Sequence, residues 1–259
     1  MSDWEPLSGE LGAWSCGRGP RLVFVHGFTQ TASSWKPIAE LFAADGYESI
    51  VVDVPGHGHS SAVHVDLPRA TEMLTTLCSA AVYIGYSLGG RLCMHAALAY
   101  PHLVTALAVV GASPGIADPA ERAARRTADN CLADHIIDVG VDAFLDEWLA
   151  QPLFAGLTLD DDARADRQTN TPEGLASSLR LAGTGAQESL WPYLPEMKMP
   201  ILTIAGEQDS KFAAIGRKVS ASVPRGKAIE IPGAGHAAHL QQPRLVARAL
   251  ADWLLEIKY

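Results

Sequence analysis

The stretch Gly85-Tyr86-Ser87-Leu88-Gly89-Gly90 follows an apolar run at 81–84 and opens a helical pattern at 88–100. Strand, glycine-flanked serine and helix, in that order, form the context of a G-x-S-x-G nucleophile elbow. The turn is tight, so Gly85 and Gly89 supply the small neighbours that Ser87 requires. The serine hydroxyl then projects at a helix N-terminus. There the helix dipole and the unpaired N–H groups favour a developing anion.

The same alternation extends outward in both directions. Apolar runs at 22–25, 49–53, 81–84, 105–110, 201–205 and 228–231 are separated by helical patterns at 35–44, 69–78, 88–100, 211–222 and 243–257. Runs that are apolar on both faces and divided by helices predict an α/β chain with a mostly parallel sheet flanked by helices. Pro243 suits the first turn of a helix. The alternation breaks between Ser113 and Pro200, where helical segments at 120–134, 141–150, 160–168 and 172–182 follow one another without a strand. That span is too long for a single crossover. We expect a helical cap over 116–199, inserted into a core made of 1–115 and 200–259. A chain of 259 residues is long enough for one such core.

A serine hydroxyl is a weak nucleophile or base without a partner. In chains with this elbow the acid and then the histidine follow in order. The run 201–205 leads into Gly206-Glu207-Gln208-Asp209-Ser210, and the run 228–231 leads into Pro232-Gly233-Ala234-Gly235-His236. Both loops lie where strands end, which is where parallel sheets place their sites. The candidate triad is Ser87, Asp209 and His236. Glu207 competes for the acid role but lies closer to its strand. An oxyanion hole needs two backbone N–H donors. Leu88 supplies one, and Phe28, in His26-Gly27-Phe28-Thr29, is expected to supply the other. His26, His57 and His59 read as loop-shaping residues rather than bases.

Other classes are poorly served by this sequence. The formal net charge is -9, so a nucleic-acid partner, which calls for a basic face, is not expected. His236 and His239 are three apart without further ligands, and Cys16, Cys78, Cys93 and Cys131 match no zinc spacing. Gly17-x-Gly19 does not complete a dinucleotide fingerprint. No metal and no organic cofactor is therefore expected. Three of the four cysteines lie in apolar or helical stretches and read as buried thiols. The acidic stretch Met1–Glu10 is not a signal peptide, and no apolar run reaches the roughly 20 residues that span a bilayer. These features predict a cytoplasmic protein without membrane partners. They set no oligomeric state, and a monomer fits.

Several longer blocks carry a resemblance. The elbow continued through Arg91, Ser113-Pro114-Gly115, Glu121-Arg122-Ala123-Ala124-Arg125 with Asp129, Trp148-Leu149-Ala150-Gln151-Pro152-Leu153-Phe154, Gly206-Glu207-Gln208-Asp209-Ser210-Lys211-Phe212 and Gly235-His236-Ala237-Ala238-His239 all contribute. Together they resemble the 2-succinyl-6-hydroxy-2,4-cyclohexadiene-1-carboxylate synthase (MenH) family of menaquinone biosynthesis, within the α/β-hydrolase superfamily. The resemblance runs from about Leu22 to the C-terminus. It implies a lyase that eliminates pyruvate from 2-succinyl-5-enolpyruvyl-6-hydroxy-3-cyclohexene-1-carboxylate, with Ser87 as the base. It implies that Arg91, Arg125 and Arg167 hold the carboxylates of a small anionic substrate, and that Tyr86 and Trp148 line the pocket.

Two rival readings remain open at this level. The same triad serves a serine esterase or a carbon–carbon bond hydrolase, and a cofactor-free haloperoxidase activity belongs with that group. The fold also serves as a receptor for small molecules, although an intact Ser, Asp and His set argues against a dead enzyme. Dehalogenase and epoxide hydrolase chemistry uses an aspartate nucleophile, and position 87 is Ser.

Overall fold

In the computed structural model, which describes residues 4–259, eight strands form one sheet. They are β1 (Glu5–Pro6), β2 (Ala13–Cys16), β3 (Arg21–Val25), β4 (Glu48–Val52), β5 (Ala81–Tyr86), β6 (Val104–Val110), β7 (Ile201–Gly206) and β8 (Gly226–Ile231). Across the sheet the order is β1-β2-β4-β3-β5-β6-β7-β8. Every pairing from β4 to β8 is parallel, and β1 and β2 add an antiparallel edge. All six predicted runs lie on strands. The short pair β1 and β2 carries no such run. The first three residues of the acidic stretch Met1–Glu10 lie outside the described residues.

The helices are α1 (Lys36–Ala44), α2 (Leu67–Thr75), α3 (Leu88–Ala99), α4 (Pro119–Leu149), α5 (Asp161–Gln168), α6 (Pro172–Ala182), α7 (Ser210–Ser222), α8 (Ala238–Gln241) and α9 (Pro243–Glu256). Strand side chains alternate between two cores, as a pleat with period two demands. Val23, Val25 and Tyr83 pack with Leu74 of α2, Leu92 of α3 and Val219 of α7. Leu22, Phe24 and Ile84 pack with Ile38 and Phe42 of α1 and Leu250 and Trp253 of α9. Both faces are covered, which is why the strands read as continuous apolar runs.

Between β6 and β7 stand α4, α5 and α6. They have a small core of their own: Ala133, Ile136, Phe144, Leu175, Ala176 and Leu179, with Phe28 and Trp148 packed against it. Asp118 caps α4 through the Glu121 amide at 2.8 Å, and Thr171 caps α6 through the Gly174 amide at 3.1 Å. Helix α4 is broken at Gly140, whose φ of 79° and ψ of 171° are not helical. Beyond the break the chain doubles back far enough for His135 Nε2 to meet Glu147 Oε2 at 2.6 Å. One expectation fails here. Cys131 is exposed on α4 rather than buried, because α4 packs against α6 and leaves its far face to solvent. Among the described residues no helix is long and apolar enough to cross a membrane.

Candidate active site

Ser87 joins β5 to α3 with φ 48° and ψ −107°, a left-handed conformation that costs an ordinary residue roughly 1–2 kcal/mol. The surrounding packing enforces it. The Ser87 amide donates to Val110 O at 2.9 Å, and a Cβ on Gly89 would lie 2.2 Å from Val25 O. A side chain at 89 would push α3 off β3, so the elbow needs glycine there. Leu88 is the first residue of α3, so its amide has no partner within the helix.

Asp209 and His236 end the loops after β7 and β8. Asp209 Oδ2 accepts from His236 Nδ1 at 2.7 Å, and Asp209 Oδ1 accepts from the Phe212 amide at 3.2 Å. The carboxylate therefore caps α7 and orients the imidazole at once. With Nδ1 as donor, Nε2 is left to accept a proton. Glu207 turns aside and accepts from the Gly233 amide at 3.0 Å. His236 and Ser87 line one cavity of about 160 Å³ together with Phe28, Tyr86, Leu88, Arg91 and Trp148.

A second cavity of about 520 Å³ adjoins the first and shares Ser87, Arg91, Arg125, Thr184, Lys211 and Phe212 with it. Three cations thus face the serine. Arg91 is buried, and its Nη1 donates to Ala182 O at 2.8 Å and Gln187 Oε1 at 3.2 Å. Burial, and then the neighbouring Arg125, pull its pKa down to about 10, which leaves it charged at neutral pH. Arg125 donates through Nε to Asp129 at 2.6 Å. The stretch Gly183-Thr184-Gly185 closes over this pair: the Gly185 amide donates to Asp129 Oδ2 at 3.0 Å, and Thr184 lines both cavities. The opposite wall is aromatic, with Trp148 against Phe28 at 5.3 Å and Phe154 at 5.6 Å between centroids. The buried indole nitrogen of Trp148 has no hydrogen-bond partner among the described residues.

The loop after β3 supplies Phe28. Two neutral histidines hold this loop. His26 Nδ1 donates to Gly27 O at 2.8 Å, so Nε2 accepts from the Val54 amide at 3.1 Å. His57 Nδ1 donates to Pro55 O at 3.1 Å, and Nε2 accepts from the Thr29 amide at 3.3 Å. Burial pushes His26 down to about 4 and His57 to about 3. The Thr29 amide is thereby occupied. His59, by contrast, is exposed beside Asp53 and Trp14.

Most of the residues singled out by sequence thus meet around Ser87: Asp209, His236, Phe28, Leu88, Tyr86, Arg91, Arg125 and Trp148. Arg167 does not join the walls of these two cavities. It is buried at the end of α5, where Nη1 donates to Thr29 Oγ1 at 2.5 Å, and it faces a separate cavity with Gln30 and Ser33. Lys211 was overlooked, although its place two residues after Asp209 puts it in the first turn of α7, over the sheet edge.

The arrangement sets Ser87 and the Asp209-bonded His236 in one cleft with Arg91, Arg125 and Lys211, and Asp118 and Glu121 stand on the wall of its second cavity. The alpha/beta hydrolase family model matches residues 22–249. A Bacillus subtilis (strain 168) protein is 35% identical over 91% of this chain and 90% of its own length. The 2-succinyl-6-hydroxy-2,4-cyclohexadiene-1-carboxylate synthase of Salmonella typhimurium is 34% identical over 91% of this chain and 94% of its own. The solved structure of MenH from S. aureus superimposes with a TM-score of 0.89 at 29% identity, covering 95% of this chain and 99% of that one. The chain belongs to the alpha/beta hydrolase family and, within it, to the family of 2-succinyl-6-hydroxy-2,4-cyclohexadiene-1-carboxylate synthases.

Proposed function

We propose that this protein is a lyase that eliminates pyruvate from 2-succinyl-5-enolpyruvyl-6-hydroxy-3-cyclohexene-1-carboxylate in menaquinone biosynthesis. The observation that carries the reading is the junction at Ser87, where Arg91, Arg125 and Lys211 all face the nucleophile's cavities. Forked guanidinium donors match carboxylates, and the substrate bears several. Three cations around an esterase serine have no use with a neutral ester.

In this reading Asp209 fixes the His236 tautomer and His236 accepts the Ser87 hydroxyl proton. The Ser87 oxyanion removes the ring proton at C2, the C–H electron pair forms the C2–C3 double bond, and the existing C3–C4 double bond shifts to C4–C5. The bond to the enolpyruvyl oxygen breaks, and the departing enolate takes up a proton to become pyruvate. No acyl-enzyme forms, and the step needs no metal or organic cofactor. Phe28 and Leu88 amides stabilise negative charge that builds on a substrate oxygen. Tyr86 and Trp148 line the ring, with the unpartnered indole N–H available to the ligand. Residues 116–199 act as a cap over the core of 1–115 and 200–259, and bring Arg125 and Trp148 to the serine. The protein works in the cytoplasm on a small anionic substrate, without nucleic acid or membrane.

The test is a direct assay of pyruvate release from that substrate, with p-nitrophenyl acetate run alongside. Pyruvate release with slow ester turnover supports the lyase. Fast ester hydrolysis with no pyruvate replaces it with a serine esterase.

A further inference from the structure

Thr29 is one of only three non-glycine residues with positive φ among the described residues, and it is the residue after Phe28. Its φ is 67°, a conformation that a β-branched side chain avoids. Such outliers persist only where their surroundings over-determine them. Three groups grip Thr29. Its amide donates to His57 Nε2 at 3.3 Å, its hydroxyl accepts from Arg167 at 2.5 Å, and its carbonyl accepts from Asn170 Nδ2 at 3.0 Å.

Asn170 is the centre of this grip. It is buried, and both ends of its amide are bonded. Nδ2 donates to Thr29 O and to Arg167 O at 2.8 Å, while Oδ1 accepts from the Gly58 amide at 2.9 Å. Two carbonyls face the nitrogen and one N–H faces the oxygen, so only one orientation of the amide satisfies all three. Asn170 thus joins the end of α5, the loop after β3 and the loop 54–60. It lines neither cavity at Ser87.

We infer that Asn170 is a positioning residue: it holds Thr29 in its left-handed conformation and so aims the Phe28 amide at the oxygen that becomes negative during the reaction. The inference rests on the proposed use of Ser87 and on Phe28 as an oxyanion donor, and it deepens that reading. Thr29 and Phe28 share a peptide unit, so rotation about Thr29 swings the Phe28 carbonyl and shifts the Phe28 amide with it. Losing the third contact leaves the strained residue free to relax to negative φ. Asn170, at the end of α5, would then contribute to chemistry without touching substrate.

The experiment uses Asn170→Ala in the full chain, with two readouts. One is kcat and KM for pyruvate release. The other is the second-order rate at which a fluorophosphonate labels Ser87. In that labelling Ser87 Oγ bonds to phosphorus, fluoride leaves, His236 takes the proton, and the phosphoryl oxygen draws on the same amide donors. We expect kcat and the labelling rate to fall together by about 10- to 100-fold, because misplacing one donor costs this much. KM should stay within about threefold, as ground-state contacts are untouched. A folded variant that keeps both rates, or one that loses KM alone, overturns the inference. If Asn170→Ala does not fold, Asn170→Asp keeps the acceptor for Gly58 but sets an oxygen against Thr29 O, and the same two outcomes apply. A wild type that is labelled rapidly yet releases no pyruvate overturns the lyase reading alone, and the labelling rate of the variant still decides the role of Asn170.

Discussion

The two walls of the Ser87 cleft are built differently. On the core side, Ser87, Asp209 and His236 hang from the ends of β5, β7 and β8, and backbone geometry holds them: the strained elbow, the α7 cap and the two neutral histidines of the loop after β3. On the other side, Arg91 reaches across to Ala182 O, and Arg125 leans on Asp129. Charged side chains hold that wall, around a core of only six buried apolar residues. The first wall cannot shift without unfolding a strand. The second can be altered one side chain at a time. We expect the chemistry to depend on the first wall and the choice of substrate on the second.

The largest effect should come from breaking the first wall's chemistry. Ser87→Ala should cut kcat by about 10⁴-fold or more while leaving the fold intact, since triad losses cost this much. Retention of a tenth of wild-type pyruvate release would sink the role of Ser87.

Next is acid. His26 and His57 have folded pKa values of about 4 and about 3, below the ordinary value of 6.5. Their neutral, bonded state contributes fully above pH 6.5. As pH falls from there towards 4 the unfolded chain takes up protons that the folded one refuses. Stability should drop by roughly 1.4 kcal/mol per pH unit for each histidine. Melting scans at pH 7 and pH 5 check this, and an unchanged Tm argues against two buried neutral rings.

The second wall should respond more mildly. Arg91→Ala or Arg125→Ala should cost about 10- to 150-fold in kcat/KM, the equivalent of one charge-assisted bond of roughly 1.5–3 kcal/mol. Arg91→Lys should restore only part, because one ammonium does not replace a fork. If ester turnover falls in step with pyruvate release, these arginines support the structure and do not select the substrate. Smallest of all, Arg180→Ala removes an exposed ion pair to Asp134 on the outer face of the same wall. It should change stability by less than about 1 kcal/mol and leave kcat/KM as it was. Urea titration and the pyruvate assay measure both.

The difference between the walls also explains what could be read from the sequence. Strand-end residues were legible because a loop with glycines after an apolar run leaves little freedom: Ser87, Asp209 and His236 follow from position alone. Strands β1 and β2 were missed because they are short, carry exposed or half-exposed residues such as Trp14 and Ser15, and have no continuous apolar run. In the helical segment, resemblance identified Arg125 and Trp148, but helical composition does not say which way a side chain points. Arg167 bonds Thr29 and lines a neighbouring cavity, close enough to Tyr86 of the cleft to interact with it electrostatically. Lys211 was visible in a quoted block without being recognised as a cleft cation. Asn170 carries no pattern at all, since its meaning lies in three partners far away in the chain.

The break at Gly140 has a consequence of length. Arg125 and Trp148 stand 23 positions apart on α4. At 1.5 Å per residue a straight helix would separate them by about 34 Å, the width of a small domain. No cleft that fits one cyclohexene ring could hold both ends of such a rod. Yet both line the cavity of about 160 Å³ at Ser87. A single glycine at a left-handed φ, with open space where its Cβ would be, folds the rod into a hairpin. The charged and aromatic ends of one helix are thereby delivered to the same cavity.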